Sequence, residues 1–200
     1  HPVAHSFPTR RSSDLGLKLR WPGMGGKVLQ KLGASISMIP GGEIFPSLEK
    51  GAIEGTEFSN PAIDAMLGFH KIAKYNYFPG WHQPVTHLEL ILNKEVWDSM
   101  SDRQKTVCTM ATYAVNTYTL SRSTALQGPA FKENAEKHGV NNKEWSEDML
   151  QAFEEAWLKV IDEEASKDDM LKKVWEDYQA YMEDYRPWAG VAYLPREKNE

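Results

Sequence analysis

Strand-like and helix-like patterns of apolar residues take turns along the first part of the chain. Residues 17–20, 36–39 and 53–58 are typical of short β-strands. Between them, apolar side chains recur at helical spacing over 24–32 and 43–50, and a further helix is predicted over 61–74. Strands that alternate with helices predict a mostly parallel sheet covered by helices, which is the α/β class.

The segment 41–58 is the most informative part of this pattern. Two glycines at its start allow a turn before a short helix, and Gly51 is well placed to end that helix in a left-handed conformation. The strand that follows brings Glu57 to its C-terminal end. Open α/β folds build their ligand sites at the carboxyl ends of strands, so we expect Glu57 to lie at such a site.

The chain becomes helical after a last predicted strand over residues 85–92. Ser101 and Gln104 match a capping box, which opens a long helix. We predict that this helix runs to 127 and breaks at Gly128-Pro129, because proline removes a helical hydrogen bond. Its apolar stripe consists of Val107, Met110, Ala111, Ala114, Val115 and Tyr118.

Two further helices are predicted near the C-terminus. Ser146 is a suitable cap for the first, whose apolar stripe comprises Leu150, Phe153, Trp157, Val160 and Ile161. The second is predicted over 168–185, with a packing face formed by Leu171, Val174, Trp175, Tyr178 and either Tyr181 or Met182.

Composition excludes several classes of protein. With 41% hydrophobic and 11% aromatic residues, the 200-residue chain is expected to fold. A net charge of −5 with scattered basic residues argues against nucleic-acid binding. Cys108 is the single cysteine, so an intrachain disulfide and a thiolate zinc site are excluded, and its apolar helical context predicts a buried, inert thiol. No apolar run is long enough to span a bilayer.

Residues 1–15 stand apart from the rest of the chain. They show no hydrophobic period and no apolar core suited to a signal peptide. Residues 6–15 resemble a translated sequencing adapter, so we treat the stretch as non-native or disordered and expect it to be floppy.

Arg20 and Glu57 are the candidate binding residues with the clearest chemistry. Arg20 ends the first strand, and its planar guanidinium can hold a carboxylate through two parallel hydrogen bonds. Glu57 and Gln83 offer oxygen ligands of the kind that hard cations prefer. Judged by residue type alone, a strand-end arginine is more often structural or solvated, and a glutamate is more often a surface carboxylate.

Four aromatic residues could form the wall of a small binding cleft: Trp21, Phe58, Tyr77 and Trp81. Ordinary core packing explains each of these rings equally well. Asn60 could hydrogen-bond a ligand or merely shape the turn before Pro61.

A zinc site is the weakest of the alternatives. His82, His87 and Glu89 could suggest zinc, but their spacing fits no compact pair of helical ligands. The chain also lacks a nucleophile elbow and a phosphate-binding loop.

Three stretches in order carry a resemblance to a known family: Gly16-Leu17-Lys18-Leu19-Arg20, Gly55-Thr56-Glu57-Phe58 and Tyr77-Phe78-Pro79-Gly80-Trp81-His82-Gln83. On these motifs the chain resembles the DctP-type solute-binding proteins of tripartite ATP-independent periplasmic (TRAP) transporters. It is most similar to the branch that binds 2-oxo acids or lactate with a metal cation.

The resemblance implies a type II periplasmic-binding-protein fold whose first lobe is largely missing. Residues 16–85 would form an α/β ligand-binding lobe, and 86–127 a crossover strand with a long lobe-spanning helix. Residues 128–200 would form a helical region that packs on the lobes.

The resemblance also implies roles for residues and partners. Arg20 would hold the substrate carboxylate, while Glu57, the backbone carbonyl of Phe58 and Gln83 would hold the cation. Some relatives have glutamate where this chain has Gln83. The neutral amide of Gln83 makes the site less negative and leaves sodium and calcium both open as the cation. Relatives act in the periplasm, deliver a small carboxylate to TRAP membrane subunits, and can dimerise by exchanging a C-terminal helix.

Two other functions remain as rivals of this interpretation. An enzyme acting on a small carboxylate would use Glu57 as a base and Arg20 as a substrate clamp. A helical adaptor would use the surface from Ser101 onward. The receptor interpretation predicts binding without catalysis.

Overall fold

The computed structural model describes residues 16–86 and 88–194 and confirms the α/β class. Three short parallel strands form a sheet in which β1 (Lys18–Arg20) lies between β2 (Ser35–Ser37) and β3 (Gly55–Thr56). Helix α1 (Gly23–Lys31) connects β1 to β2, and α2 (Gly41–Glu49) connects β2 to β3. Each predicted strand is shorter than its pattern suggested.

The predicted helix over 61–74 is two shorter elements. Helix α3 (Pro61–Met66) ends before Gly68, which has a left-handed backbone with φ of 79°, and a 3₁₀ helix (Phe69–Lys71) follows. A residue with positive φ interrupts a right-handed helix, and glycine adopts that conformation at little cost. The same conformation occurs at Gly51, with φ of 69°, directly after α2 as predicted.

A second sheet was not anticipated from the sequence. Strand β4 (Tyr75–Phe78) pairs in parallel with β5 (Asn141–Glu144), so that Tyr75 lies opposite Asn141. The polar sequence of β5 shows no apolar alternation. It forms a strand because it pairs with β4, which lies 66 positions earlier in the chain, as the pairing of Tyr75 with Asn141 shows. This pairing brings the segment after β4 towards the start of α6 (Glu147–Ala165).

The predicted strand over 85–92 is wrong for the residues that the structure describes. Residues 85, 86 and 88–92 have no regular structure, and the predicted facing of His87 lies outside the described residues. Leu88 is 90% exposed and Ile91 is 87% exposed. An apolar segment becomes a strand only when it pairs with another, and no described strand borders this one.

The long helix begins as predicted but does not end as predicted. After α4 (Lys94–Ser99), helix α5 (Asp102–Glu136) opens with the Ser101–Gln104 capping box and continues through Pro129. Proline in a helix costs about 3 kcal/mol. Contacts on both sides of Pro129 stabilise the continuous helix: Gln127 accepts a hydrogen bond from the backbone of α3, and Phe131 packs on Phe78.

The predicted apolar stripe of α5 is exposed rather than packed. Val107, Met110, Val115 and Tyr118 are each more than half exposed, because no described element covers this side of the helix. Cys108 is half-buried, not fully buried as predicted, and lines an open groove with residues of α4 and of the segment before it.

The main core forms where α6 packs on β1 and α1. Helix α6 begins after Ser146 as predicted. Phe153 and Val160, which are both 2% exposed, join buried side chains of the first sheet and of α1: Leu19, Val28 and Leu29. Ion pairs from Lys27 to Glu164 and from Lys31 to Glu163 border the same interface. A second core under α2 contains Ile44, Ile53 and Phe69.

Helix α7 (Asp169–Ala192) starts one residue after the predicted start at Asp168, which caps it, and extends beyond the predicted end at residue 185. Trp175 packs edge-on against Trp157 of α6, with ring centroids 6.0 Å apart, but none of the described residues of α7 is fully buried. No helix within residues 16–86 and 88–194 is both long and apolar enough to cross a membrane. The predictions for residues 1–15 lie outside the described residues.

The carboxyl group of Asp64 is partly buried within the fold. Burial raises the pKa of Asp64 in α3 from an ordinary value of 3.8 to about 7. A hydrogen bond from the Ser59 backbone opposes this rise in pKa, and the negative charge of Glu57 adds to it. The Oδ1 atom of Asp64 is buried and has no hydrogen-bond partner in the described part of the chain.

We predict that Phe153→Ala lowers the free energy of unfolding by about 3–5 kcal/mol, because it leaves a cavity at the interface of α6 with the sheet. Leu158→Ala is the matched control on the same helix, since Leu158 is 47% exposed, and should cost less than about 1 kcal/mol. Urea unfolding followed by circular dichroism measures both values. Similar losses in the two variants would contradict this location of the core.

The partly buried Asp64 carboxyl should make stability depend on pH. Between about pH 4 and 7 only the folded chain keeps the Asp64 proton, so its contribution to stability falls as the pH rises through this range. We predict that Asp64→Asn flattens the fall and stabilises the chain at pH 8 relative to the wild type. Thermal melts from pH 4 to 8 check this, with the exposed Asp177→Asn as control; a slope unchanged in Asp64→Asn would refute it.

Candidate functional site

The guanidinium of Arg20 is fixed at the carboxyl end of β1. Its Nη1 donates to the carboxylate Oε1 of Glu57 and to the backbone carbonyl of Glu57, both at 2.9 Å. Its Nε donates to the carbonyl of Ile39 at 3.1 Å. No described residue gives the second terminal nitrogen, Nη2, a hydrogen-bond partner. Arg20 is therefore anchored through Nε and Nη1 and can still donate to a ligand through Nη2.

The register of the sheet brings Glu57 beside Arg20. Strand β3 pairs in parallel with β1 so that Thr56 lies opposite Arg20, and the Glu57 N–H donates to the Arg20 carbonyl at 3.3 Å. Parallel strands end at the same edge of a sheet, so the side chains that follow them meet there. The Arg20 and Glu57 side chains are only 13% and 16% exposed, which shields their attraction from solvent.

His82 is the site residue that the sequence did not reveal. Its Nε2 lies 3.3 Å from Oε2 of Glu57, and its side chain is 13% exposed. The sequence suggests His82 only as a weak candidate for a zinc ligand. Its position next to Gln83 in the third motif was the available signal that it belongs to the site.

Trp21 and Trp81 form an aromatic cluster with His82. The two indole rings stack with centroids 5.9 Å apart, and the edge of His82 packs against both, at 4.8 Å from Trp21 and 5.3 Å from Trp81. Trp81 also stacks on Phe153 of α6 at 4.4 Å. Trp81 thus belongs to the core as well as to the border of the site.

Phe58 covers the other side of Arg20. The guanidinium carbon lies 5.9 Å from the centre of the Phe58 ring, within range of a cation–π contact. Phe58 is 36% exposed and packs edge-on against Phe69. Gly41 permits this position of the Phe58 ring, because a Cβ at residue 41 would lie 3.0 Å from the ring.

Three predicted site residues make contacts elsewhere. Tyr77 stacks on Trp145 with ring centroids 4.6 Å apart. The side chain of Asn60 accepts a hydrogen bond from the Ile63 N–H and caps α3, which is the turn-shaping role weighed from the sequence. Gln83 is exposed and donates to Thr86 Oγ1 at 3.0 Å.

The chemistry of the predicted cation ligands fits a hard ion. Within the described parts of the chain, no group of three His, Cys, Asp or Glu side chains could hold a metal ion. The predicted set instead combines the Glu57 carboxylate, the Phe58 carbonyl and the Gln83 amide, all oxygen ligands suited to sodium or calcium. The hydrogen bond to Thr86 uses the amide nitrogen of Gln83, whereas a cation would bind the amide oxygen.

Comparisons with known proteins identify the family of the chain. The family model described as DctP, bacterial extracellular solute-binding protein, family 7, matches residues 6–168. A monocarboxylate 2-oxoacid-binding periplasmic protein from Nostoc sp. strain PCC 7120 is 34% identical over 186 residues, which are 92% of this chain and 51% of that protein.

Two crystal structures of TRAP periplasmic solute-binding proteins are similar to the fold. The protein from Pseudoalteromonas atlantica T6c, with bound sodium and pyruvate, has a TM-score of 0.82 and 33% identity, over 92% of this chain and 56% of that one. The protein from Colwellia psychrerythraea, with bound calcium and pyruvate, has a TM-score of 0.82 and 32% identity, over 90% and 55%.

The chain spans about half the length of each of these relatives. The family match covers most of this sequence and includes all three motifs on which the resemblance depends. The chain therefore belongs to the DctP family of bacterial extracellular solute-binding proteins.

Proposed function

We propose that this chain is the second lobe, with the long helices, of a TRAP solute receptor that binds a small 2-oxo or 2-hydroxy carboxylate together with sodium or calcium. The contact between Arg20 and Glu57 is the observation that carries this proposal. A cation-binding carboxylate and a carboxylate-binding guanidinium lie side by side at one sheet edge. A ligand of only a few atoms can reach both groups at once.

Each end of the ligand has its own protein group. The fork of Arg20, with Nη2 available beside Nη1, is suited to the ligand carboxylate. Glu57, the Phe58 carbonyl and the Gln83 amide would hold the cation. When bound, the cation supplies a positive charge that attracts the ligand's 2-oxo or 2-hydroxyl oxygen and a carboxylate oxygen.

The aromatic residues would shape the cleft around these polar groups. Trp21, Phe58 and Trp81 border the Arg20–Glu57 pair through described contacts, and we propose them as the apolar wall. Tyr77 and Asn60 remain further candidates for ligand contact. Tyr77 would use a part of its side chain that does not stack on Trp145, and Asn60 a part that does not cap α3.

We propose binding without catalysis. A general base must be able to accept a proton from its substrate. Both carboxylate oxygens of Glu57 already lie next to nitrogen atoms, Oε1 next to Arg20 and Oε2 next to His82. Turnover of pyruvate or lactate by the protein would favour the enzyme alternative instead.

The proposed partners follow from the exposed helices. The uncovered apolar side of α5 fits a lobe-spanning helix that a first lobe would cover, with 16–85 as the ligand-binding lobe and 128–200 as the packing region. The exposed aromatic residues of α7 suit dimerisation by helix exchange. A periplasmic receptor of this kind would deliver its ligand to TRAP membrane subunits.

The helical-adaptor alternative has less support. It uses only the surface from Ser101 onward and assigns no role to the buried Arg20–Glu57 pair or to the cluster around His82. It predicts that the first 95 residues can be removed without loss of partner binding. The core contradicts simple removal, because α6 is packed on β1 and α1.

Calorimetric titration with pyruvate tests the receptor proposal. The protein to use is a two-lobed form, in which the first lobe of the Nostoc relative precedes residue 16. We predict that pyruvate binds in buffer that contains sodium or calcium. Chelating the calcium and replacing the sodium with choline should weaken pyruvate binding at least about tenfold, as expected for loss of a cation that binds with the ligand.

The control for this titration is Glu57→Gln in the same two-lobed form. It should reduce the effect of added cation while circular dichroism confirms the fold. Affinity that is independent of cations in the unaltered protein would contradict the roles of Glu57, Phe58 and Gln83.

Arg20→Ala should weaken pyruvate binding by at least about 2 kcal/mol, or roughly 30-fold, because the ligand carboxylate loses a buried charged partner. Arg20→Lys should recover only part of this loss, since an ammonium group cannot make two parallel hydrogen bonds. Lys159→Ala removes an exposed positive charge from α6 and serves as the control. Unchanged affinity in Arg20→Ala, measured by the same titration, would exclude Arg20 as the carboxylate clamp.

A further inference from the structure

We infer that His82 is a positioning residue, which fixes the orientation of the Glu57 carboxylate for the cation; this inference rests on the proposed function. The Nε2 atom of His82 lies 3.3 Å from Oε2 of Glu57. Both side chains are largely buried, at 13% and 16% exposure, so water competes weakly for this bond.

The two oxygens of Glu57 have different partners. Oε1 accepts a hydrogen bond from Arg20, and Oε2 faces His82. A carboxylate held at both oxygens has one orientation of its plane. Nη2 of Arg20 is left for the ligand carboxylate, while Nη1 of Arg20 and Nε2 of His82 hold the two oxygens of Glu57.

The imidazole ring is itself held by the core. Its edge packs against Trp21 and Trp81, and Trp81 stacks on Phe153 of α6. Helix α1 lies close to the base of the side chain, because a Cβ on Gly25 would lie 3.2 Å from the His82 Cβ. The direction of Nε2 is thus set by packing that extends into the main core.

The hydrogen bond defines which nitrogen carries the proton. A carboxylate can only accept hydrogen bonds, so Nε2 must be the donor. Nδ1 is buried and has no hydrogen-bond partner among the described residues. A hydrogen-bond partner of a metal-binding group commonly fixes the orientation of that group. Loss of such a partner typically weakens metal binding by about 10- to 100-fold.

Two substitutions separate the hydrogen bond from the packing. His82→Gln keeps an N–H donor at a similar reach but loses the ring, whereas His82→Phe keeps a ring but has no donor. Terbium is a suitable probe for the 200-residue chain, because it substitutes for calcium and its emission is excited through nearby tryptophan rings.

We expect terbium affinity within about threefold of the wild type in His82→Gln and a loss of about tenfold or more in His82→Phe. Terbium affinity in His82→Phe equal to that of the wild type would overturn the inference. Equal weakening in both variants would also overturn it, since packing alone would then explain the effect.

The nitrogen spectra of the His82 ring test the bond without any metal. Long-range ¹H–¹⁵N spectra of the chain should show a protonated Nε2, whose shift changes in Glu57→Gln. A ring protonated only on Nδ1 would refute the hydrogen bond. If the wild type binds no terbium, the cation site of the proposed function fails, and these spectra still decide whether His82 holds Glu57.

Discussion

The parallel pairing of β3 with β1 is the constraint on which the proposed site depends. It aligns Thr56 with Arg20, so that Glu57, one residue further on, meets the guanidinium at 2.9 Å. Each charge lies largely buried and has the other as its counter-charge, which offsets the cost of removing both from water. A shift of one residue in this register would turn Glu57 to the opposite face and separate the pair.

The C-terminal helices support this edge of the sheet from behind. Phe153 of α6 stacks on Trp81, which packs against His82, which in turn lies beside Glu57. A helix that begins 90 residues after Glu57 in the sequence therefore helps to define the geometry of the site. Helix α6 therefore supports the proposed site through packing and not by direct contact with Glu57.

Exposed apolar surfaces are a second feature of the structure. The apolar stripe of α5 and the segment before α4 have the composition of buried structure, but the described residues leave them uncovered. The relatives are about twice as long as the matched part of this chain. Under the proposed function, a first lobe would pack on this uncovered side.

Local sequence determined the helix caps at Ser101, Ser146 and Asp168, the turn at Gly51, and the strand ends at which candidate ligands lie. These features depend on neighbouring residues, and neighbours are visible in a sequence. Only the tertiary structure decided the pairing of β4 with β5, the passage of α5 through Pro129, and the place of His82 beside Glu57. Each of these depends on contacts between distant segments, whose free energy can outweigh local preference and leaves no periodic pattern in the chain.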